Sequence, residues 1–273
     1  MKKMSFTKMV ASGNDFLIID QRPKAKDQRL FILAKKMCDR KYGAGADGLL
    51  ILEKSKKADV KMRIFNADGS EAEMCGNGAR CAALYRVIEP KSQRVKAKIK
   101  IETKAGIIEA EIGGDRVRIK LTDPKNIKLG IPLKVKNRQV KVNFINTGVP
   151  HAVIFVEGVD KIAVEDIGRE IRHHKKFMPA GTNVNFVEIL NDDSIKVRTY
   201  ERGVEDETLA CGTGSVASAL LYALRYTPKA GRINVFTRSG EKLKVYFDFS
   251  GGAATNVWLE GSAKKVYGGI YYA

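Results

Sequence analysis

Met74-Cys75-Gly76-Asn77-Gly78-Ala79-Arg80 is the stretch from which the fold is read, and it returns in shortened form as Ala210-Cys211-Gly212-Thr213-Gly214-Ser215. In both copies a cysteine is followed at once by glycines and then by an apolar run at helical spacing. The first run is Ala79, Ala82, Ala83, Leu84, Val87 and Ile88; the second is Val216, Ala219, Leu220, Ala223 and Leu224. Each thiol is therefore expected at a helix start, where the N–H groups of the first turn lack intrahelical partners and favour a thiolate. The two cysteines are separated by close to half of the 273 residues, which predicts two related halves with one cysteine each. If those halves face each other, two thiols flank one cavity.

The flanking segments repeat in the same order. Phe6 to Asp20 reads as a strand broken by the turn Ser12-Gly13-Asn14-Asp15, and Asp27 to Arg40 as a helix with Cys38 beside its apolar stripe. Gly43-Ala44-Gly45-Ala46-Asp47-Gly48 is a literal G-x-G-x-x-G, but it follows a helix and opens the strand Leu49-Leu50-Ile51-Leu52, so it is not a dinucleotide fingerprint. Val60 to Phe65 is a strand, Asn66-Ala67-Asp68-Gly69 a turn, and Pro90 the stop of the helix after Cys75. Residues 97 to 121 alternate as three short strands, and Pro124 to Pro132 reads as the connection between halves. In the second half, Phe144 to His151 before Ala152-Val153-Ile154-Phe155 echoes the turn at Gly13. Gly181-Thr182-Asn183-Val184-Asn185-Phe186-Val187 echoes Gly45 onward, and Lys196 to Tyr200 matches Lys61 to Phe65. The helix from Ser215 is apolar nearly all round, as a helix enclosed by strands must be. Alternating strands with turns at Ser239-Gly240 and Ser250-Gly251-Gly252 fill Arg232 to Tyr272. The class is α+β: a half spanning 1–124 that carries Cys75 and a half spanning 132–273 that carries Cys211, whose last strands are free to cross back to the first.

Composition narrows the function classes. A chain with 44% hydrophobic residues builds substantial cores, and none of its segments approaches the ~18 consecutive apolar residues of a spanning helix. The basic start has no apolar h-region behind it, so a cytoplasmic, unprocessed protein with no membrane partner is expected. The net charge of +18 raises nucleic acid as a partner, but Lys56-Lys57, Lys96 to Lys100 and Lys264-Lys265 lie in separate segments without aromatic interleaving. A solvated lysine-rich surface is preferred, and no nucleic-acid partner is expected. Four cysteines without a C-x-x-C pair and three histidines without H-E-x-x-H make neither a disulfide frame nor a metal site. Cys38 and Cys81 read as core; Cys75 and Cys211 are left as reactive thiols.

A thiolate on one side of a carbon and a thiol on the other remove a proton and return one to the opposite face, which inverts a stereocentre with no cofactor. The exposed N–H groups at Gly76-Asn77 and Gly212-Thr213 would hold the adjacent carboxylate and its enolate-like charge. At this point the sequence resembles the cofactor-independent diaminopimelate epimerases. The likeness lies in Gly13-Asn14-Asp15-Phe16, Gly45-Ala46-Asp47-Gly48, Phe65 to Ser70, Cys75 to Arg80, Pro150-His151, Tyr200-Glu201-Arg202-Gly203 and Leu209 to Gly214. It implies two pseudo-symmetric domains, each a curved, mostly antiparallel sheet around a central helix, with the active site in the cleft between them. It also implies conversion of LL- to meso-diaminopimelate in lysine and cell-wall precursor biosynthesis, by a homodimer without cofactor.

Carried over by that resemblance, Cys75 and Cys211 are the acid/base thiols. Gly76, Asn77, Gly212 and Thr213 cradle the reacting carboxylate, and Asn14 with Glu201 holds its ammonium. Asn66, Asn183 and Arg202 grip the distal end, where the Arg202 fork suits a carboxylate, and His151 is the helper beside one cysteine. Some members carry glutamine where Gly48 stands and asparagine where Val149 stands, so those contacts do not exist here. A proline-racemase-like enzyme is the alternative within the superfamily, and a basic nucleic-acid-binding protein the alternative from another class.

Overall fold

The computed structural model describes residues 3–20, 27–88, 97–136, 138–250 and 253–272; the helix stop at Pro90, the turn at Gly251-Gly252 and the extreme N-terminus lie outside them. The chain divides into two compact units, Met1–Ile119 with Gly261–Ala273, and Lys120–Glu260.

In chain order the first unit holds β1 (Lys3–Ala11), β2 (Asn14–Ile19), α1 (Asp27–Cys38), β3 (Gly48–Glu53), β4 (Val60–Asn66), β5 (Glu71–Ala72), α2 (Gly76–Ile88), β6 (Lys98–Thr103), β7 (Gly106–Gly113) and β8 (Arg116–Lys120). The second unit holds β9 (Lys125–Val135), β10 (Arg138–Asn146), β11 (Pro150–Phe155), α3 (Val164–Arg172), β12 (Asn183–Asn191), β13 (Ser194–Glu201), β14 (Asp206–Thr208), α4 (Gly212–Tyr226), β15 (Arg232–Phe236), β16 (Lys242–Ser250) and β17 (Ala253–Ser262). The final strand, β18 (Lys264–Tyr272), pairs antiparallel with β1 and belongs to the first unit.

Both units use one pairing scheme. In the first, β1 and β2 are antiparallel, β2 and β3 parallel, β3 and β4 antiparallel; β4 then pairs antiparallel with β5 and parallel with β6, and β6–β7–β8 is an antiparallel meander. In the second, β10–β11, β11–β12, β12–β13, β13–β14, β13–β15, β15–β16 and β16–β17 repeat those senses one for one. Residues 125–135, expected to be a bare connection, form β9, which pairs antiparallel with β10 as β18 does with β1.

The apolar pattern explains why each unit has a helix on both sides of its strands. Leu49, Leu50, Ile51 and Leu52 are all buried, the signature of a strand covered on both faces. Leu49 and Ile51 join Leu17, Ile19, Leu30, Ala34, Met37 and Phe65 in a core beneath α1, while Leu50 and Ile64 face the start of α2 at Gly78. α2 is buried from Asn77 to Tyr85 and packs against β1, β2, β3, β4, β6, β7 and β18. α4 is buried from Gly214 to Ala223 and packs against β10, β11, β12, β13, β15 and β16. In the second unit Val184, Phe186 and Tyr200 lie beneath α3 with Val164 and Ile171. α3 was not anticipated from the sequence, although Val164, Ile167 and Ile171 stand at helical spacing and pack on this core.

Gly168 is where α3 meets the sheet: a Cβ there would lie 2.5 Å from Cβ of the buried Tyr200. Alanine is the better helix former by about 1 kcal/mol, but overpacking against a fixed strand costs about 1–3 kcal/mol. We expect Gly168→Ala to lower stability by about 1 kcal/mol in urea unfolding; an increase would place the helix farther from β13 than the structure does.

Candidate active site

Of the residues singled out in the sequence, Cys75, Gly76 and Asn77 stand at the start of α2 and Cys211, Gly212 and Thr213 at the start of α4. In the first unit Ala79 N–H donates to the Cys75 carbonyl at 2.8 Å, so Cys75 is the residue from which α2 starts. Gly78 N–H points at Cys75 Sγ from 3.5 Å, and the thiol is half-buried. Packing at Gly78 is close: a Cβ would stand 3.2 Å from Leu50 and 3.4 Å from Ile64. Gly76 faces Ile119, which a Cβ would approach to 3.3 Å.

Asn14 and Asn77 are joined by a 2.7 Å hydrogen bond from Asn77 Nδ2 to Asn14 Oδ1. Asn14 in turn donates to Asp47 at 3.1 Å, and Asn77 Oδ1 accepts from Arg80 at 2.8 Å. Arg80 is fully buried and also donates to Ser12 Oγ. Asp47 shares Arg40 with Asp15, which lies 2.9 Å from Lys8 Nζ. Burial alone would raise the Asp15 carboxyl, but hydrogen bonds from Arg40, Lys8 and the Asp47 backbone outweigh it and hold the pKa at about 2. Asn66 stands apart from this network: it is exposed, and its amide closes its own turn on Ser70 Oγ at 2.9 Å. A side chain at Gly48 would be tightly placed, since a Cβ would lie 3.0 Å from the Phe65 carbonyl and 3.3 Å from the Phe16 ring.

In the second unit Ser215 N–H donates to the Cys211 carbonyl at 2.9 Å, and Cys211 is the cap residue of α4. Its buried sulfur lies 3.5 Å from Thr213 Oγ1. Gly212 faces Leu259, and Thr213 O accepts from Thr147 Oγ1 at 3.2 Å. Asn183 Oδ1 accepts the Arg202 backbone N–H at 2.8 Å, while its amide donates to Pro150 O at 3.1 Å. The half-buried Arg202 donates from Nη1 to Ala180 O at 3.0 Å. Glu201 accepts from Thr208 Oγ1 at 3.0 Å, and burial raises its carboxyl pKa. His151 is wholly buried; burial, then the Arg202 charge, lowers its pKa to about 3. Its neighbour is Asn185, at 3.1 Å from Nδ1.

Two features of the site were missed in the sequence. Ahead of each cysteine by four residues stands a glutamate on the short strand, Glu71 on β5 and Glu207 on β14. Each is gripped by an arginine of the neighbouring strand. Arg63 donates to Glu71 at 2.8 and 3.0 Å, and Arg198 to Glu207 at 2.7 Å from both Nε and Nη2. Lys104 reaches Glu71, as Arg238 reaches Glu207. The repeat E-x-x-x-C was the available signal. The other is the register of the internal echo. Asn183 pairs with His151 as Gly48 pairs with Phe16, so Asn183 corresponds to Gly48, not to Asp47 as pairing Gly181 with Gly45 implies.

The chain matches the family model described as diaminopimelate epimerase over residues 6–127 and 143–263. It is 45% identical to the diaminopimelate epimerase of Aquifex aeolicus, with 97% of each chain covered. It is 43% identical to that of Methanocella arvoryzae, covering 98% of this chain and 97% of the other. Among solved structures it resembles a PhzF-family phenazine biosynthesis protein of Bacillus anthracis (TM-score 0.78, 19% identity, all of both chains). It also resembles a hydroxyproline epimerase of Agrobacterium vitis (TM-score 0.71, 16% identity, 99% and 91% covered). These two likenesses concern the two-domain α+β fold.

The Arg198–Glu207 pair is nearly dry, with Glu207 3% exposed at its side chain. Removing one partner of such a pair costs about 3–5 kcal/mol, while replacing both with apolar groups is close to neutral. We expect Arg198→Met to destabilise by about 3 kcal/mol and the double variant Arg198→Met, Glu207→Leu to recover most of it, read by denaturant unfolding. A double variant no better than the single would mean the loss lies in the three carbonyls that Arg198 also serves, at Val159, Asp160 and Ile162.

Proposed function

We propose that this chain, which belongs to the diaminopimelate epimerase family, interconverts LL- and meso-diaminopimelate by proton transfer between two thiols. The observation that carries the reading is the duplicated helix start, with a cysteine as the residue that opens each of two buried helices. Packing alone asks for the glycines at 78 and 214; it does not ask for a thiol in front of both.

Epimerisation needs a base on one face of the α-carbon and an acid on the other, with the developing carbanion held between them. Cys75 and Cys211 take these two roles, exchanging them with the direction of reaction. Backbone N–H groups of Gly76, Asn77, Gly212 and Thr213 hold the carboxylate at the reacting centre, where the positive ends of α2 and α4 lower the cost of its extra charge. Asn14 and Glu201 receive the ammonium; Asn66, Asn183 and Arg202 receive the distal amino-acid end; His151 supports a thiol. No pyridoxal phosphate or metal enters this scheme. The family likeness supports a cytoplasmic homodimer serving lysine and cell-wall precursor synthesis, and no helix among the described residues is long and apolar enough to cross a membrane.

Purified protein given LL-diaminopimelate with no added cofactor should form the meso isomer by chiral chromatography. Cys75→Ala and Cys211→Ala should each lower kcat/KM by at least ~10²-fold with the fold intact, the scale of a lost acid or base. In deuterated water the new isomer should carry deuterium from the first turnovers while unreacted substrate stays protiated, read by mass spectrometry of the separated isomers. Retained protium in early product would replace the two-thiol scheme with a single base that serves both faces.

A further inference from the structure

The face of the sheet beneath α4 is polar where its counterpart beneath α2 is hydrocarbon. Asn185 lies opposite Thr199 across β12 and β13, as Leu50 lies opposite Ile64 across β3 and β4. His151 stands on β11 where Phe16 stands on β2. A Cβ on Gly214 would meet Asn185 Oδ1 at 2.3 Å, just as one on Gly78 would meet Leu50. Thus Phe16, Leu50 and Ile64 in one unit become His151, Asn185 and Thr199 in the other, all three buried. An asparagine in place of a core leucine is costly unless its amide is fully bonded.

The bonding fixes more than the asparagine. Asn185 Nδ2 lies 3.0 Å from the Ala152 carbonyl oxygen and 3.1 Å from His151 Nδ1, while its Oδ1 accepts from Thr199 Oγ1 at 2.9 Å. A carbonyl oxygen only accepts, so the atom facing Ala152 must be the amide nitrogen; turning the amide over would set two oxygens against each other. Both amide hydrogens are then committed, one to Ala152 and one to His151. His151 Nδ1 therefore accepts, and in a neutral imidazole the ring proton sits on Nε2. Nε2 is buried and has no hydrogen-bond partner among the described residues. Leaving such a donor unmatched is costly until an acceptor arrives.

We infer that Asn185 is a positioning residue that locks His151 in the Nε2–H tautomer, so that the imidazole meets an incoming acceptor as a neutral hydrogen-bond donor and not as a base. This deepens the reading given under Proposed function and rests on it for the identity of the acceptor, a carboxylate oxygen or a thiolate. The lone pair on Nδ1 is occupied by the amide and Nε2 already holds its proton, so the ring has no site left for a proton taken from substrate. Burial and the Arg202 charge, which disfavour the imidazolium, agree with a ring that stays neutral.

Nitrogen NMR of the full chain labelled at histidine and asparagine tests this without turnover. The His151 signals, identified by their loss in His151→Gln, should show a protonated Nε2 and an unprotonated Nδ1. They should hold steady between about pH 5 and 8, where an ordinary histidine changes charge. A scalar coupling across the hydrogen bond should link Asn185 Nδ2 to His151 Nδ1. A proton on Nδ1, titration within that window, or absence of the coupling would each overturn the lock. In Asn185→Asp, whose carboxylate only accepts, the proton should move to Nδ1 and kcat should fall about a hundredfold or more, the low end of what a lost donor costs; an unmoved proton overturns the role of Asn185. If that variant does not fold, the coupling in the unmodified protein decides. A locked tautomer in a protein without epimerase activity would refute the proposed function and leave the lock standing, whereas an active epimerase with a titrating His151 would do the reverse.

Discussion

Two backbone hydrogen bonds, from Ala79 to the Cys75 carbonyl and from Ser215 to the Cys211 carbonyl, are what the rest of each unit is arranged to permit. They make each cysteine the half-helical residue at the mouth of a buried helix, so its side chain lies beside the first-turn N–H groups that the helix itself cannot use. A helix start is normally placed at the surface to let water meet those groups. Here strands surround both helices, and the first-turn positions must be small because Leu50 and Ile64 in one unit, and Asn185 in the other, stand directly against them. The glycines let the backbone approach the sheet, while Gly76, Gly212 and Thr213 stay partly exposed.

The two units keep one skeleton and exchange its polarity. In the first, polar contacts cluster above the helix start, running from Arg40 and Asp47 through Asn14 and Asn77 to Arg80 and Ser12, over a sheet face of Phe16, Leu50 and Ile64. In the second, Val149, Thr213 and Val216 follow that outline with fewer polar groups, while the sheet face carries His151, Asn185 and Thr199. The thiols differ accordingly: Cys75 is half-buried and receives the Gly78 N–H, whereas Cys211 is buried beside a hydroxyl.

The sequence made the architecture legible because its signals were long-range and redundant. Two apolar helices behind C-G-x-G, two interrupted first strands and two matched fourth strands each point to the same duplication. The site was legible where a residue type is rare in its setting, as with Cys75, Cys211 and the helix-start glycines. Asn66 was harder, since turn chemistry and ligand binding call for the same residue, and in the structure its amide serves the turn. Asn185 was hidden by a single step of register. Matching Gly181 to Gly45 sets Asn185 against Leu49 on the α1 side, and in a strand one step carries a side chain to the opposite face.

The arginine–glutamate clamps were hidden for a different reason: charged residues in a lysine-rich chain look like surface until pairing shows them largely buried. A buried ion pair is weak evidence for stability, because desolvation offsets most of its attraction. Its stronger effect is geometric, since two parallel N–H···O bonds fix the partner in both distance and rotation. β5 and β14 are only two and three residues long, too short for ladder bonds to hold them in register. Fastening Glu71 to Arg63 and Glu207 to Arg198 anchors each short strand four residues before its cysteine. The one extra residue between Arg198 and Glu207, compared with Arg63 and Glu71, is accommodated in the turn that carries Glu201 and Arg202. The clamp therefore holds the thiols in matched positions while that turn is left able to differ, which is where the second unit places its charged substrate-binding candidates.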